Sequence, residues 1–211
     1  MEKRKDIFWV TLAKFIGLYL MILGHMKLLD ENSTMFVFSF HMPLFFILSG
    51  MFSKNRTFSD TLRNVWQKLL YPFVIMTLLV ISVQTVLWIK NRYAFTDLVP
   101  YIVGSFVSPG KSFSEFSPLC IFLWFLLALA EVKLIASQLK RPWHWILAIS
   151  ICIMAALALD KFSQPLPFAL DSVVLSLPFY GIGKFTRNVF LKANKIIQDN
   201  SVQRKDRKSV V

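Results

Sequence analysis

The stretch from Lys14 to Met51 reads KFIGLYLMILGHMKLLDENSTMFVFSFHMPLFFILSGM. Two apolar runs flank a short polar segment, the pattern of two antiparallel apolar helices. Three ionisable residues, Lys14, His25 and His41, sit inside or at the ends of these runs. Hydrocarbon disfavours such groups, so each is a candidate for function. Lys14 and His25 are eleven positions apart. In a helix that is about 1100°, only about 20° past three full turns, so the two share a stripe and stand roughly 16 Å apart along the axis. One small group cannot touch both. A long substrate, or a path through packed helices, can.

The rest of the chain agrees with a membrane setting. Of its 211 residues 55% are hydrophobic and 17% charged, and the mean hydropathy is positive. A water-soluble domain with that load would expose large apolar patches, which a bilayer instead covers. The net charge of +12 does not point to nucleic acid. The basic residues sit mostly between apolar runs, where they orient a membrane protein rather than build a nucleic-acid-binding face. Cys120 and Cys152 both lie in apolar runs, which argues against a disulfide framework or a metal cluster. The run after Lys3-Arg4-Lys5 is long and lacks a small-x-small cleavage site, so it is not read as a cleaved signal peptide.

The expected fold is all-α: a polytopic membrane bundle of about six helices, near residues 7–24, 35–52, 69–89, 119–135, 143–159 and 166–185. With the N-terminus in the cytoplasm, the outer segments carry only Lys27, Lys90, Arg92, Lys111 and Lys161. The other basic residues, Lys14 apart, fall on inner segments, and both termini become cytoplasmic. An apolar segment at 98–107 is too short to span and is read as lying in the interface or dipping among the helices. Trp124, Trp143 and Trp145 are candidate interfacial anchors. Residues 188–211 read as a basic, disordered cytoplasmic tail.

Each candidate has a structural alternative. His25 follows Gly24 at the outer end of the first helix. It is either an interfacial histidine bonding headgroups or a general base, since a neutral imidazole can take a proton from a hydroxyl attacking an acyl carbonyl. His41 precedes Pro43 and lies roughly 9 Å below the outer end of its helix, between the levels of His25 and Lys14. It either continues a polar track or bonds the backbone carbonyl near Ser39 that Pro43 frees. Lys14 either snorkels to the cytoplasmic side or holds a phosphate or carbonyl oxygen of an acyl donor. A donor's pyrophosphate would also favour the basic loop from Lys54 to Lys68, which includes Arg63. Ser49-Gly50 suits close helix packing. Glu131 and Asp171 are read as pairing with lysines across the bundle.

These residues resemble acyltransferase family 3 membrane proteins, and within them the fucose 4-O-acetylase-like O-acetyltransferases. The likeness rests on Ala13-Lys14 with Gly17, Leu23-Gly24-His25, Phe40-His41-Met42-Pro43-Leu44-Phe45-Phe46 and Leu48-Ser49-Gly50. Weaker matches follow in the same order at Lys68 to Pro72, Leu123 to Leu126 and Leu177 to Gly181, covering most of residues 6–187. The resemblance implies acetyl-CoA as donor and a hydroxyl of a cell-envelope glycan or lipid-linked sugar as acceptor, in a bacterial cytoplasmic membrane. It implies His25 as catalytic base, Lys14 as its paired basic residue, and no metal. Thr11 stands where that branch usually has aspartate, and the family usually has around ten membrane helices. The chain is therefore expected to be a partial member, and the rival reading is an inactive remnant or a small membrane carrier. Oligomeric state is not legible in the sequence.

Overall fold

The structure is a computed structural model that describes residues 8–26, 30–90, 98–107, 123–159 and 166–208. The described residues form helices and no strand: α1 (Phe8–His25), α2 (Glu31–Met51), α3 (Phe58–Val65), a π turn (Trp66–Leu70), α4 (Tyr71–Lys90), α5 (Leu98–Val107), α6 (Trp124–Gln138), α7 (Pro142–Leu159), a short turn (Pro167–Ala169) and α8 (Leu170–Lys208). Three stretches are long and apolar enough to cross a membrane: Glu31–Met51, Phe58–Lys90 and Pro167–Phe190. Trp9–His25 and Pro142–Ala158 are apolar but shorter.

Several boundaries differ from those read in the sequence. Helix α2 begins at Glu31 rather than near Met35, because Asp30 caps it: its Oδ2 accepts from the Ser33 N–H at 3.2 Å. Four residues read as loop thereby join the helix. Helix α3 and α4 run on through the π turn, which lies just before Pro72. Proline has no N–H, so the Lys68 carbonyl loses its usual partner. The Tyr71 N–H meanwhile reaches the Trp66 carbonyl, five residues back, and the widened turn absorbs the mismatch. Helix α8 continues to Lys208, so residues 188–208 are helical where composition suggested disorder. Lys, Gln and Arg are good helix formers and need no apolar face when solvated.

The Asp30 cap yields a pH prediction. The Ser33 hydroxyl and N–H hold the Asp30 carboxyl below its ordinary value. A lowered folded pKa means the contribution is complete above the unfolded value and fades as pH falls through the folded one. Asp30→Asn should therefore unfold more easily than the wild type at pH 7, and the two should converge in acid. Thermal melts in detergent at both pH values check this; a gap that persists in acid overturns it.

Two compact units emerge. One takes Met1–Ser53 and Phe179–Val211, the other Lys54–Pro178. The boundary falls within α8 at Pro178, which cannot donate to the Val174 carbonyl.

In the first unit α1 packs along α2. Gly17 faces Phe45 and Leu44, and Gly24 faces Val37 and Phe38. The C-terminal part of α8 crosses α2 still more closely. A Cβ at Gly50 would overlap the Tyr180 carbonyl, and one at Gly183 the Ile47 carbonyl. Both glycines let backbone meet backbone, as small residues do between membrane helices. The Arg187 guanidinium then donates to the Ser53 carbonyl at 3.0 Å, just past the α2 C-terminus, where a cation also meets the favourable end of the helix dipole. Trp9 of α1 lies 5.7 Å from the Phe190 ring.

In the second unit Phe73, Thr77 and Ile81 line one buried stripe of α4 at four-residue spacing. Ile102 and Phe106 of α5 pack against Ile81 and Trp88, so the short apolar segment lies along a helix. Helix α6 packs against α3 and the π turn, and also against the turn at Pro167–Ala169. Within that turn Phe168 and Ala169 hold φ near 58° and 57°, a left-handed conformation costing about 1–2 kcal/mol per non-glycine residue. Trp145 is not an interfacial anchor. It is 3% exposed and its Nε1 donates to the Leu139 carbonyl at 2.8 Å, satisfying a carbonyl that the end of α6 leaves open. Trp143 is exposed. Cys152 is buried; Cys120 and the outer basic residues Lys27, Arg92, Lys111 and Lys161 lie outside the described residues.

Candidate functional site

The site is built on the α1–α2 pair. With α2 starting at Glu31, His41 lies ten residues in, about 15 Å along the axis. Its side chain is fully buried, at 0% exposure. Its Nδ1 stands 2.7 Å from the Val37 carbonyl oxygen. The backbone partner is thus Val37 and not the Ser39 carbonyl that Pro43 frees. Helical side chains lean toward the N-terminus and reach the residue four back, whereas a residue two back lies on the opposite side. Ser39 instead donates its hydroxyl to the Phe36 carbonyl.

That contact fixes chemistry. A carbonyl can only accept, so Nδ1 must carry the proton. Nε2 of the neutral ring is then a bare lone pair. Nε2 is buried and has no hydrogen-bond partner among the described residues. Leaving such an atom unpaired costs about 1–3 kcal/mol. An imidazole held through Nδ1 with Nε2 open is the arrangement a general base needs.

Gly24 lets the end of α1 approach α2, and His25 is half-buried beside it. The His25 and Phe38 rings meet edge to face with centroids 4.9 Å apart. Phe38 and His41 have centroids 5.4 Å apart. One phenyl ring therefore touches both imidazoles, and the two histidines are within electrostatic reach of each other. Phe38 was not singled out from the sequence. Its place three residues before His41, on the same helix face, was the available signal.

The other sequence candidates are placed differently. Lys14 lies on an exposed side of α1 with Phe15 and Leu18, and among the described residues it makes no hydrogen bond or ion pair. Arg63 and Lys68 are exposed and belong to the other unit. Glu131 keeps its Oε2 buried with no hydrogen-bond partner among the described residues. Asp171 accepts from the N–H of its neighbour Ser172 at 2.8 Å. Among the described residues no three His, Cys, Asp or Glu gather as a metal site.

The fold and this site together define an all-helical protein with membrane-length helices and a buried, tautomer-fixed histidine beside a second one. A family model described as an acyltransferase domain matches residues 7–192, the span that holds every element of the site. The chain belongs to acyltransferase family 3. No curated protein matches it, and no solved structure does.

Proposed function

We propose that this acyltransferase moves an acetyl group from acetyl-CoA to a hydroxyl of a cell-envelope glycan or lipid-linked sugar. The observation that carries the reading is the buried lone pair on His41 Nε2, set beside His25. Hydroxyl acylation requires a base that is neutral near pH 7 and able to accept one proton as the oxygen attacks. His25, half-buried at the end of α1, meets the acceptor hydroxyl and takes its proton. His41 assists from below, its Nε2 accepting a hydrogen bond that orients the acceptor or the ring of His25. Lys14 neutralises charge on the donor side of the stripe it shares with His25. The setting is a bacterial cytoplasmic membrane, crossed about six times with both termini inside, as the Lys and Arg distribution supports.

The test is direct. The chain is expressed in a host deleted for its own O-acetyltransferases, and membranes receive labelled acetyl-CoA with envelope glycan. Wild type should label the glycan. His25→Ala should lower the rate about 10²–10⁴-fold, the usual contribution of a positioned base. Full labelling by the variant overturns the role of His25; no labelling by either chain favours an inactive family member.

A further inference from the structure

Away from the histidines, the second unit gathers positive charge. Helix α6 packs against α3 and the π turn, with Val132 and Val65 both fully buried. The contact brings Lys133 into the field of two cations from two other segments. Lys133 projects from α6, Lys68 from the π turn and Arg56 from the strap leading into α3; Lys68 and Arg56 are the charges that act on Lys133. Arg56 and Lys68 are exposed and Lys133 is half-buried.

Among the described residues no carboxylate is ion-paired with this group: Asp60 of α3 accepts from the Thr57 hydroxyl at 2.7 Å, and Glu131 Oε2 has no hydrogen-bond partner. Among the described residues none of the three cations forms an ion pair. Like charges held together raise each other's energy, most of all where burial strips water from one of them. An anion arriving among them relieves that repulsion. One planar guanidinium and two ammonium groups suit phosphate oxygens. The Lys and Arg distribution that orients the chain puts all three at the same inner boundary.

We propose that Arg56, Lys68 and Lys133 form a site for a phosphate-bearing ligand, with Lys133 as its innermost contact. For the phosphates of the acyl donor this rests on the donor assignment made above. An anionic lipid headgroup offers the same chemistry without it.

The experiment uses the full chain in phosphatidylcholine nanodiscs, with and without phosphatidylglycerol. Labelled coenzyme A is bound by equilibrium dialysis, and retained lipid is read by native mass spectrometry. Lys133→Met should weaken coenzyme A binding about tenfold, as loss of one charge-assisted phosphate contact does. Lys133→Arg should restore most of it. The exposed Lys68→Gln and Arg56→Gln should weaken binding in the same direction. The ligand-free Lys133→Met protein should melt no lower than wild type, because a repulsion is gone. His25→Ala should bind coenzyme A normally while failing in transfer, which separates this site from the chemistry. If coenzyme A does not bind but Lys133→Met loses retained phosphatidylglycerol, the site stands with lipid as its ligand and the donor reading falls. Unchanged retention of both ligands in all three variants, or a loss confined to one position, overturns the proposal.

Discussion

Gly183→Ala and Gly50→Ala should each disrupt the packing of α8 on α2, although each adds a single methyl. At Gly183 the new Cβ overlaps the Ile47 carbonyl, and at Gly50 the Tyr180 carbonyl. In both cases the obstacle is backbone, which no rotamer change can clear. The helices must move apart, and with them go the buried contacts of Phe46, Met51 and Tyr180. Overpacking in a core costs about 1–3 kcal/mol where side chains can shift; backbone overlap belongs in the upper tail of single-residue effects, above about 4 kcal/mol. The internal controls are Gly17→Ala and Gly24→Ala. Their Cβ atoms approach only Phe45 Cζ at 3.0 Å and Val37 Cγ1 at 3.2 Å, side-chain atoms that can give way. Those two should stay within about 1.5 kcal/mol of wild type. Expression level, monodispersity and thermal midpoint in detergent report the difference. Equal behaviour of all four variants would show that α8 does not cross α2 as described.

His41 should show the opposite relation between stability and activity. His41→Asn keeps a donor near the position of Nδ1 but removes Nε2. Transfer should fall about 10²–10⁴-fold if the lone pair serves the acceptor, with folding retained. His41→Leu removes a buried atom that has no hydrogen-bond partner among the described residues, relieving about 1–3 kcal/mol against the lost bond to Val37 of about 1 kcal/mol. It should therefore fold as well as the wild type or better, and be inactive. A residue kept only for packing would behave otherwise: Leu would be stable and active. Measuring thermal midpoint and acetyl transfer on the same preparations separates the two roles. An active His41→Leu protein would remove His41 from the site and leave His25 alone.

Much of this was legible in the residues themselves. The apolar runs specified helices, because a backbone in hydrocarbon must satisfy its own hydrogen bonds. The spacing of Gly24, His25, His41 and Pro43 marked the α1–α2 pair as the candidate site, and Ser49-Gly50 signalled a close helix crossing. Local signals account for the boundary shifts: Asp30 with Ser33 starts α2 early, and the π turn accommodates Pro72.

Other features needed the third dimension. Stripe geometry placed Lys14 in line with His25, yet periodicity says only which residues share a face, not what covers it. Lys14 is exposed while His41 is buried, a distinction set by where α2 lies. No pattern along the chain pairs Gly50 with Tyr180 or Gly183 with Ile47, since those contacts join residues more than a hundred positions apart. The grouping of Arg56, Lys68 and Lys133 likewise depends on α6 folding back onto the π turn. Sequence by itself determined the helices, their apolar character and the histidines. Only the tertiary structure decided which polar atoms lost their water, because burial is a property of the neighbours a residue meets and not of the residue itself.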